Sequence, residues 1–155
     1  MTGAEKILVT REGWEELTDE LRRCRQELDS KLSGYKDAIR GAEPGDAAVR
    51  HEQQEIAAAK SRMAYLEDIL ARAVPVGSAD RTPGIVGIGS LVTIRWEDGE
   101  EETFLLVGPP EVDLPTNRIS YESPVGRSLL GKVQHDEIEA TTPMGPSRMK
   151  VVAVC

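Results

Sequence analysis

Ile39-Arg40-Gly41-Ala42-Glu43-Pro44-Gly45-Asp46-Ala47-Ala48-Val49 joins two long heptad patterns, and its reading decides the fold of the first half of the chain. A residue before proline is pushed out of the helical region by the pyrrolidine ring, so a helix arriving from the N-terminal side stops near Glu43. Pro44-Gly45 suits the central positions of a type II turn, with glycine where φ must be positive. Asp46 is a favoured cap for a helix that starts just after it. A connection this short permits only an antiparallel return.

On the N-terminal side the apolar residues fall at Trp14, Leu17, Leu21, Cys24, Leu28, Leu32 (beside Tyr35) and Ile39, in alternating steps of three and four. That spacing is the seam of a helix packed against one partner, and Thr10 is a plausible cap at its start. After the tip the pattern resumes at Val49, Ile56, Ala59, Met63, Leu66 and Leu70, and ends before Pro75 and Gly77. At 1.5 Å rise per residue each arm is about 35 to 40 Å long, with little core to bury.

The chain has 155 residues, 39% apolar and only 4% aromatic, enough for one domain or two small ones with a modest core in each. A net charge of −8 argues against free-standing binding to nucleic acid, which needs clustered Lys and Arg, and points to a basic partner surface. Cys24 on the seam and Cys155 at the end read as two thiols rather than a disulfide. No apolar run is long enough to span a membrane and the start lacks a signal-peptide pattern, so a soluble cytoplasmic protein is expected.

Beyond Ala73 the run VPVGSADRTPGIVGIG has no helical period and marks a linker. Short alternating segments follow. Leu91 to Trp96 and Thr103 to Val107 flank a turn at Asp98-Gly99 and read as a β-hairpin. Ile119 to Tyr121, Glu137 to Ala140 and Met149 to Val154 are three further strands, with one or two helical turns at Val125 to Leu130. The expected fold class is α+β: residues 1–75 an antiparallel coiled-coil hairpin with its tip at about 41–47, residues 76–88 a linker, and residues 89–155 a small domain with a mostly antiparallel sheet.

The run Ile119-Ser120-Tyr121-Glu122-Ser123-Pro124-Val125-Gly126-Arg127-Ser128-Leu129-Leu130-Gly131-Lys132, with His135-Asp136-Glu137 and Thr142-Pro143-Met144-Gly145 after it, resembles the C-terminal domain of the Gre family of bacterial transcript-cleavage factors. Thr10 to Leu17 is similar to that family's opening pattern, and Arg62 to Leu70 to the end of its second helix. The resemblance implies a C-terminal domain like the FK506-binding proteins (FKBP-like). It implies binding to RNA polymerase, with that domain on the β′ subunit at the rim of the secondary channel and the hairpin inserted toward the active site. By the same resemblance, Glu122, Ser123 and Pro124 are the polymerase-binding residues. Nucleic acid is met only through the polymerase, no membrane is involved, and a monomer is expected.

At the tip the chain departs from the family. The family pattern there is Gly-Asp-Leu-Ser-Glu-Asn-Ala-Glu-Tyr, whose Asp and following Glu help to place a second Mg²⁺ and a water. Counting back from Arg62, those two acids fall near Ala42 and Gly45, and two carboxylates, Glu43 and Asp46, lie one position further on. A type II turn brings its end residues within about 7 Å, so Glu43 and Asp46 are candidate catalytic acids facing one Mg²⁺ shared with the polymerase. No intrinsic cofactor or metal is expected. In the structural alternative Asp46 caps the second helix through the amide of Ala48 or Val49, and Glu43 is a solvated turn residue.

Ser123-Pro124 is likewise open to a structural explanation, as a cap followed by proline at the first helical position. Arg40 and Arg50 are candidate contacts to RNA or polymerase, as are Lys31, Lys60 and Arg62, although basic residues on a coiled coil usually form a solvated face. His51 and His135 lack partners at ligand spacing for zinc. Three functions compete. The first is a secondary-channel regulator that does not cleave efficiently and is not itself an enzyme. The second is a cleavage factor using Glu43 and Asp46, and the third a peptidyl-prolyl isomerase, for which only Trp96, Phe104 and Tyr121 offer aromatic lining.

Overall fold

The computed structural model describes residues 3–155. Two compact units divide the chain: Glu15–Arg72, and a second made of the chain up to Trp14 together with Ala73–Cys155.

The first unit is the helical hairpin. Helix α1 runs Arg11–Ile39 over 29 residues and α2 runs Ala47–Arg72 over 26. Side-chain bonds from Arg25 to Glu67, Lys31 to Glu55 and Gln53 to Tyr35 tie the arms together, so α2 returns antiparallel to α1. The buried seam consists of Leu17, Leu21 and Leu28 on α1 with Ile56, Leu66 and Ile69 on α2. Two heptad assignments are corrected. Ile69, three residues after Leu66, is buried while Leu70 is half-buried, and Ile39 is 45% exposed. Helix α1 also stops at Ile39, short of the proline, with Arg40 and Gly41 already in a turn. Glycine there loses more conformational freedom in a helix than any alternative.

The second unit contains two sheets. Strands β1 (Ile7–Thr10) and β2 (Ala73–Val76) pair in parallel, Leu8 opposite Val74 and Val9 opposite Pro75. They flank the hairpin in sequence, and their pairing assigns both of its roots to this unit, so the unit boundaries differ from those read from composition. The second sheet has the order β5-β4-β3-β7-β6, from β3 (Leu91–Trp96), β4 (Glu101–Val107), β5 (Arg118–Ser120), β6 (Glu137–Thr142) and β7 (Gly145–Val154). Every neighbouring pair is antiparallel except β4 with β5. This is the mostly antiparallel α+β arrangement expected.

Alternation along the strands explains which face is covered. Val92 and Ile94 on β3, Leu106 on β4, and Met149 and Val151 on β7 point into one core with Leu129 of helix α3 (Pro124–Leu129). Val86 and Ile88, from the glycine-rich stretch before β3, are also buried. Val86 exchanges backbone bonds with Gly131 and Lys132, so that stretch is part of the domain's packing. Among the described residues no helix is long and apolar enough to cross a membrane.

Candidate functional site

The tip is a closed turn. Asp46 N donates to Glu43 O at 3.2 Å, and Gly45 has φ 87°, the value a type II turn needs at its third residue. Open space surrounds Gly45, so backbone conformation and not packing selects glycine there. The carboxylate of Asp46 faces the helix: Oδ1 accepts from Ala48 N at 2.9 Å, and Asp46 O accepts from Arg50 N at 3.2 Å. Asp46 is therefore the N-cap of α2. The first turn of α2 has no other acid, so Asp46 alone supplies negative charge to its N-terminus. Glu43 is exposed, and among the described residues its side chain makes no hydrogen bond or ion pair.

Among the described residues no three or more His, Cys, Asp or Glu side chains converge, and one of the two tip carboxylates is already engaged by a backbone amide. Arg40 lies just before the turn, 81% exposed and 3.7 Å from Asp37, and Arg50 is an exposed residue of the first turn of α2.

Two of the other basic candidates are already paired within the hairpin. Arg62 donates to Glu20 at 2.5 Å, with its guanidinium 5.2 Å from the centre of the Tyr65 ring. Lys31 Nζ lies 3.0 Å from Glu55 Oε2, and His51 Nε2 lies 3.3 Å from Glu55 Oε1. The hydrogen bond from Lys31, then its charge and that of His51, hold the Glu55 carboxyl below the usual carboxylate range. The hydrogen bond to Glu55 in turn raises Lys31, against the opposing effect of burial.

The Glu122-Ser123-Pro124 loop is held from both sides. Ser123 Oγ donates to Ser120 O at 2.7 Å and accepts from Gly126 N at 3.0 Å, which makes it the cap of α3 with Pro124 at the first helical position. Ser120 Oγ accepts from Glu122 N at 2.9 Å. A Cβ on Gly126 would lie 1.9 Å from Ser120 O, so only glycine lets helix and strand approach this closely. Glu122 and Pro124 are exposed on this fixed loop, while Ser123 is half-buried in its own bonds.

Sequence reasoning missed Glu111. Only 9% exposed, it accepts from Thr10 N at 3.0 Å and Gly108 N at 2.8 Å, and also from the Thr10 hydroxyl. Thr10 Oγ1 accepts in turn from Gly13 N at 3.0 Å, the cap at the start of α1 that the sequence led us to expect. A glutamate after Pro109-Pro110 looks like a loop residue, and no local pattern reveals its partner 101 positions away.

Trp96, Phe104 and Tyr121 are partly buried against the core of the second unit. A groove of about 460 Å³ touches only Trp96 of the three, and six of its nine lining residues are charged, Arg95, Glu137 and Lys150 among them.

Residues 81–155 match the family model described as transcription elongation factor, GreA/GreB, C-terminal. Over nearly its whole length the chain is similar to transcription elongation factor GreA of Geobacillus kaustophilus, 35% identical and covering 99% of each protein. It is 33% identical to the GreA of Rickettsia felis, covering 96% of this chain and 94% of that one. Among solved structures, the GreA factor homolog 1 protein of Thermus thermophilus aligns at 29% identity with a TM-score of 0.47, over 97% of this chain and 99% of that chain. The chain belongs to the GreA/GreB family of transcription elongation factors.

Proposed function

We propose that this protein binds bacterial RNA polymerase at the secondary channel, presents its helical hairpin toward the active site, and modulates or inhibits transcription without efficient transcript cleavage. The observation that carries the reading is the engagement of Asp46. Its carboxylate is the N-cap of α2, while by the resemblance the family's two acids fall near Ala42 and Gly45, which carry no carboxylate. The second unit supplies the anchor: Glu122 and Pro124 project from a loop fixed by Ser120, Ser123 and Gly126, and they meet the rim of the β′ subunit. The protein acts as a cytoplasmic monomer and an accessory to the polymerase rather than an enzyme. Any Mg²⁺ near the tip belongs to the polymerase.

One observation favours a second reading, an anti-arrest factor. The turn closes through Asp46 N to Glu43 O, and among the described residues the Glu43 carboxylate and the second oxygen of Asp46 have no partner. A cleavage assay on a stalled, backtracked elongation complex separates the two. Binding without added RNA cleavage is expected; Mg²⁺-dependent cleavage that is lost in Glu43→Ala would replace the first reading with the second.

A further inference from the structure

We propose that the hairpin is built in two parts, and that its outer part, from Leu28 and Ile56 to the tip turn, opens and closes on its own, with the Lys31–Glu55 pair as its clasp and Gly34 as its soft point. Burial is the first observation. All the buried residues of the hairpin unit lie at or inboard of Leu28 and Ile56; beyond them Leu32, Tyr35 and Val49 are half-buried and Ile39 is exposed. Two isolated helical arms without a buried seam are marginal in water. Local opening is expected where apolar contacts are few.

What replaces the seam is polar and partly wet. Lys31 and Glu55 bridge the arms at 3.0 Å with side chains 27% and 41% exposed, and the next bond outward joins the exposed Gln53 to Tyr35 at 3.0 Å. Exposed pairs of this kind contribute little to stability and weaken in salt. They can be broken and remade.

The third observation is independent of these. Gly34 lies inside α1, exposed, with nothing within 4 Å of the position its Cβ would take. No close approach requires glycine there, so its effect on the fold is a locally weaker helix. It falls three residues outboard of the clasp. The tip turn, with Glu43 and Asp46, is thus carried on a segment that zips and unzips while the inner seam stays closed. This deepens the proposed function and rests on it only for what the tip meets; the two-part behaviour belongs to the chain alone.

Hydrogen-exchange mass spectrometry on the free full-length protein tests it. After correction for intrinsic rates, peptides within residues 31–39 and 47–55 should exchange on the order of tenfold or more faster than those within residues 17–28 and 56–69, with the step at Leu28 and Ile56. Gly34→Ala should slow the outer part by about fourfold to fivefold, the propensity difference between the two residues, and leave the inner part unchanged. Glu55→Lys, which sets a cation against Lys31 and His51, should speed the outer part alone. Uniform protection along the arms, loss of protection confined to the last turn on each side of the tip, or a Gly34→Ala effect shared equally by both parts would overturn the proposal. A missing effect on polymerase, with this exchange pattern intact, would bear only on the proposed function.

Discussion

Glu111 and Thr10 are joined by two hydrogen bonds, from the Thr10 amide at 3.0 Å and from its hydroxyl, across 101 positions of sequence. The same threonine hydroxyl caps α1 through Gly13 N, and the same carboxylate receives Gly108 N. A single buried carboxylate thus fixes the last residue of β1, the first turn of α1 and the turn after β4. A Cβ on Gly13 would lie 1.9 Å from Glu111 Oε1, so the glycine makes room for this network.

Removing the carboxylate should therefore cost more than removing an ordinary cap. Glu111→Ala leaves two backbone amides buried without acceptors and is expected to destabilise the second unit by about 2 to 4 kcal/mol, against about 1 kcal/mol for loss of the cap in Thr10→Ala. Both tryptophans, Trp14 and Trp96, lie in that unit, so fluorescence-monitored urea unfolding reports it directly. A Glu111→Ala midpoint within error of the parent would show that the network is not stabilising.

The loop after β5 gives a contrast between two neighbouring positions. Gly126→Ala drives a methyl group into the Ser120 carbonyl and should destabilise by about 2 kcal/mol or more, with loss of polymerase binding as a consequence of misfolding. Glu122→Arg alters only an exposed side chain. It should unfold at the parent midpoint, within about 0.5 kcal/mol, and still lose binding to core polymerase. Retained binding by Glu122→Arg in a pull-down would remove Glu122 from the interface.

Much of this was legible in the sequence because it is local. Pro44-Gly45 announces its turn, Thr10, Asp46 and Ser123 announce their caps, and alternation locates β3, β4, β6 and β7, since each signal lies within a few residues of the feature it specifies. The parallel pairing of β1 with β2 escaped. Four-residue strands carry almost no periodicity, and their register joins Ile7 to Ala73 across the whole hairpin. Glu111 escaped for the same reason. At the tip the sequence left Asp46 between two roles, cap and metal ligand, because one residue type serves both, and only the position of its Oδ1 on the Ala48 amide shows the first.

That distinction can be measured with one conservative change. Asn accepts from a backbone amide as Asp does, so Asp46→Asn should keep the cap within a few tenths of a kcal/mol, while Asp46→Ala should lose about 1 kcal/mol of helix stability, read by circular dichroism during urea unfolding. If capping is the whole role of Asp46, the Asn variant will also keep the full effect on transcription by a stalled complex. An Asn variant with parent stability but a changed transcription effect would return the carboxylate to the chemistry.

The clasp of the hairpin makes a pH prediction with a defined sign. Lys31 is raised above 10.5, chiefly by its hydrogen bond to Glu55, so its contribution is fully present below 10.5 and is lost as pH rises through its folded value. Glu55 is lowered below 4.5, chiefly by the hydrogen bond from Lys31, so its contribution is present above 4.5 and is lost as pH falls through its folded value. Both are satisfied between those limits. Other charges modulate the pair: His51 acts on Glu55, and Glu27 and Glu52 act on Lys31. A carbon-detected NMR titration of the Glu55 carboxyl should find its midpoint below the ordinary value, and Lys31→Met should move that midpoint upward toward 4.5. Added salt should do the same in the parent, because the pair is partly exposed. A midpoint unchanged by Lys31→Met would mean that Glu55 owes its acidity to His51 alone, and that the two arms are not clasped at this point.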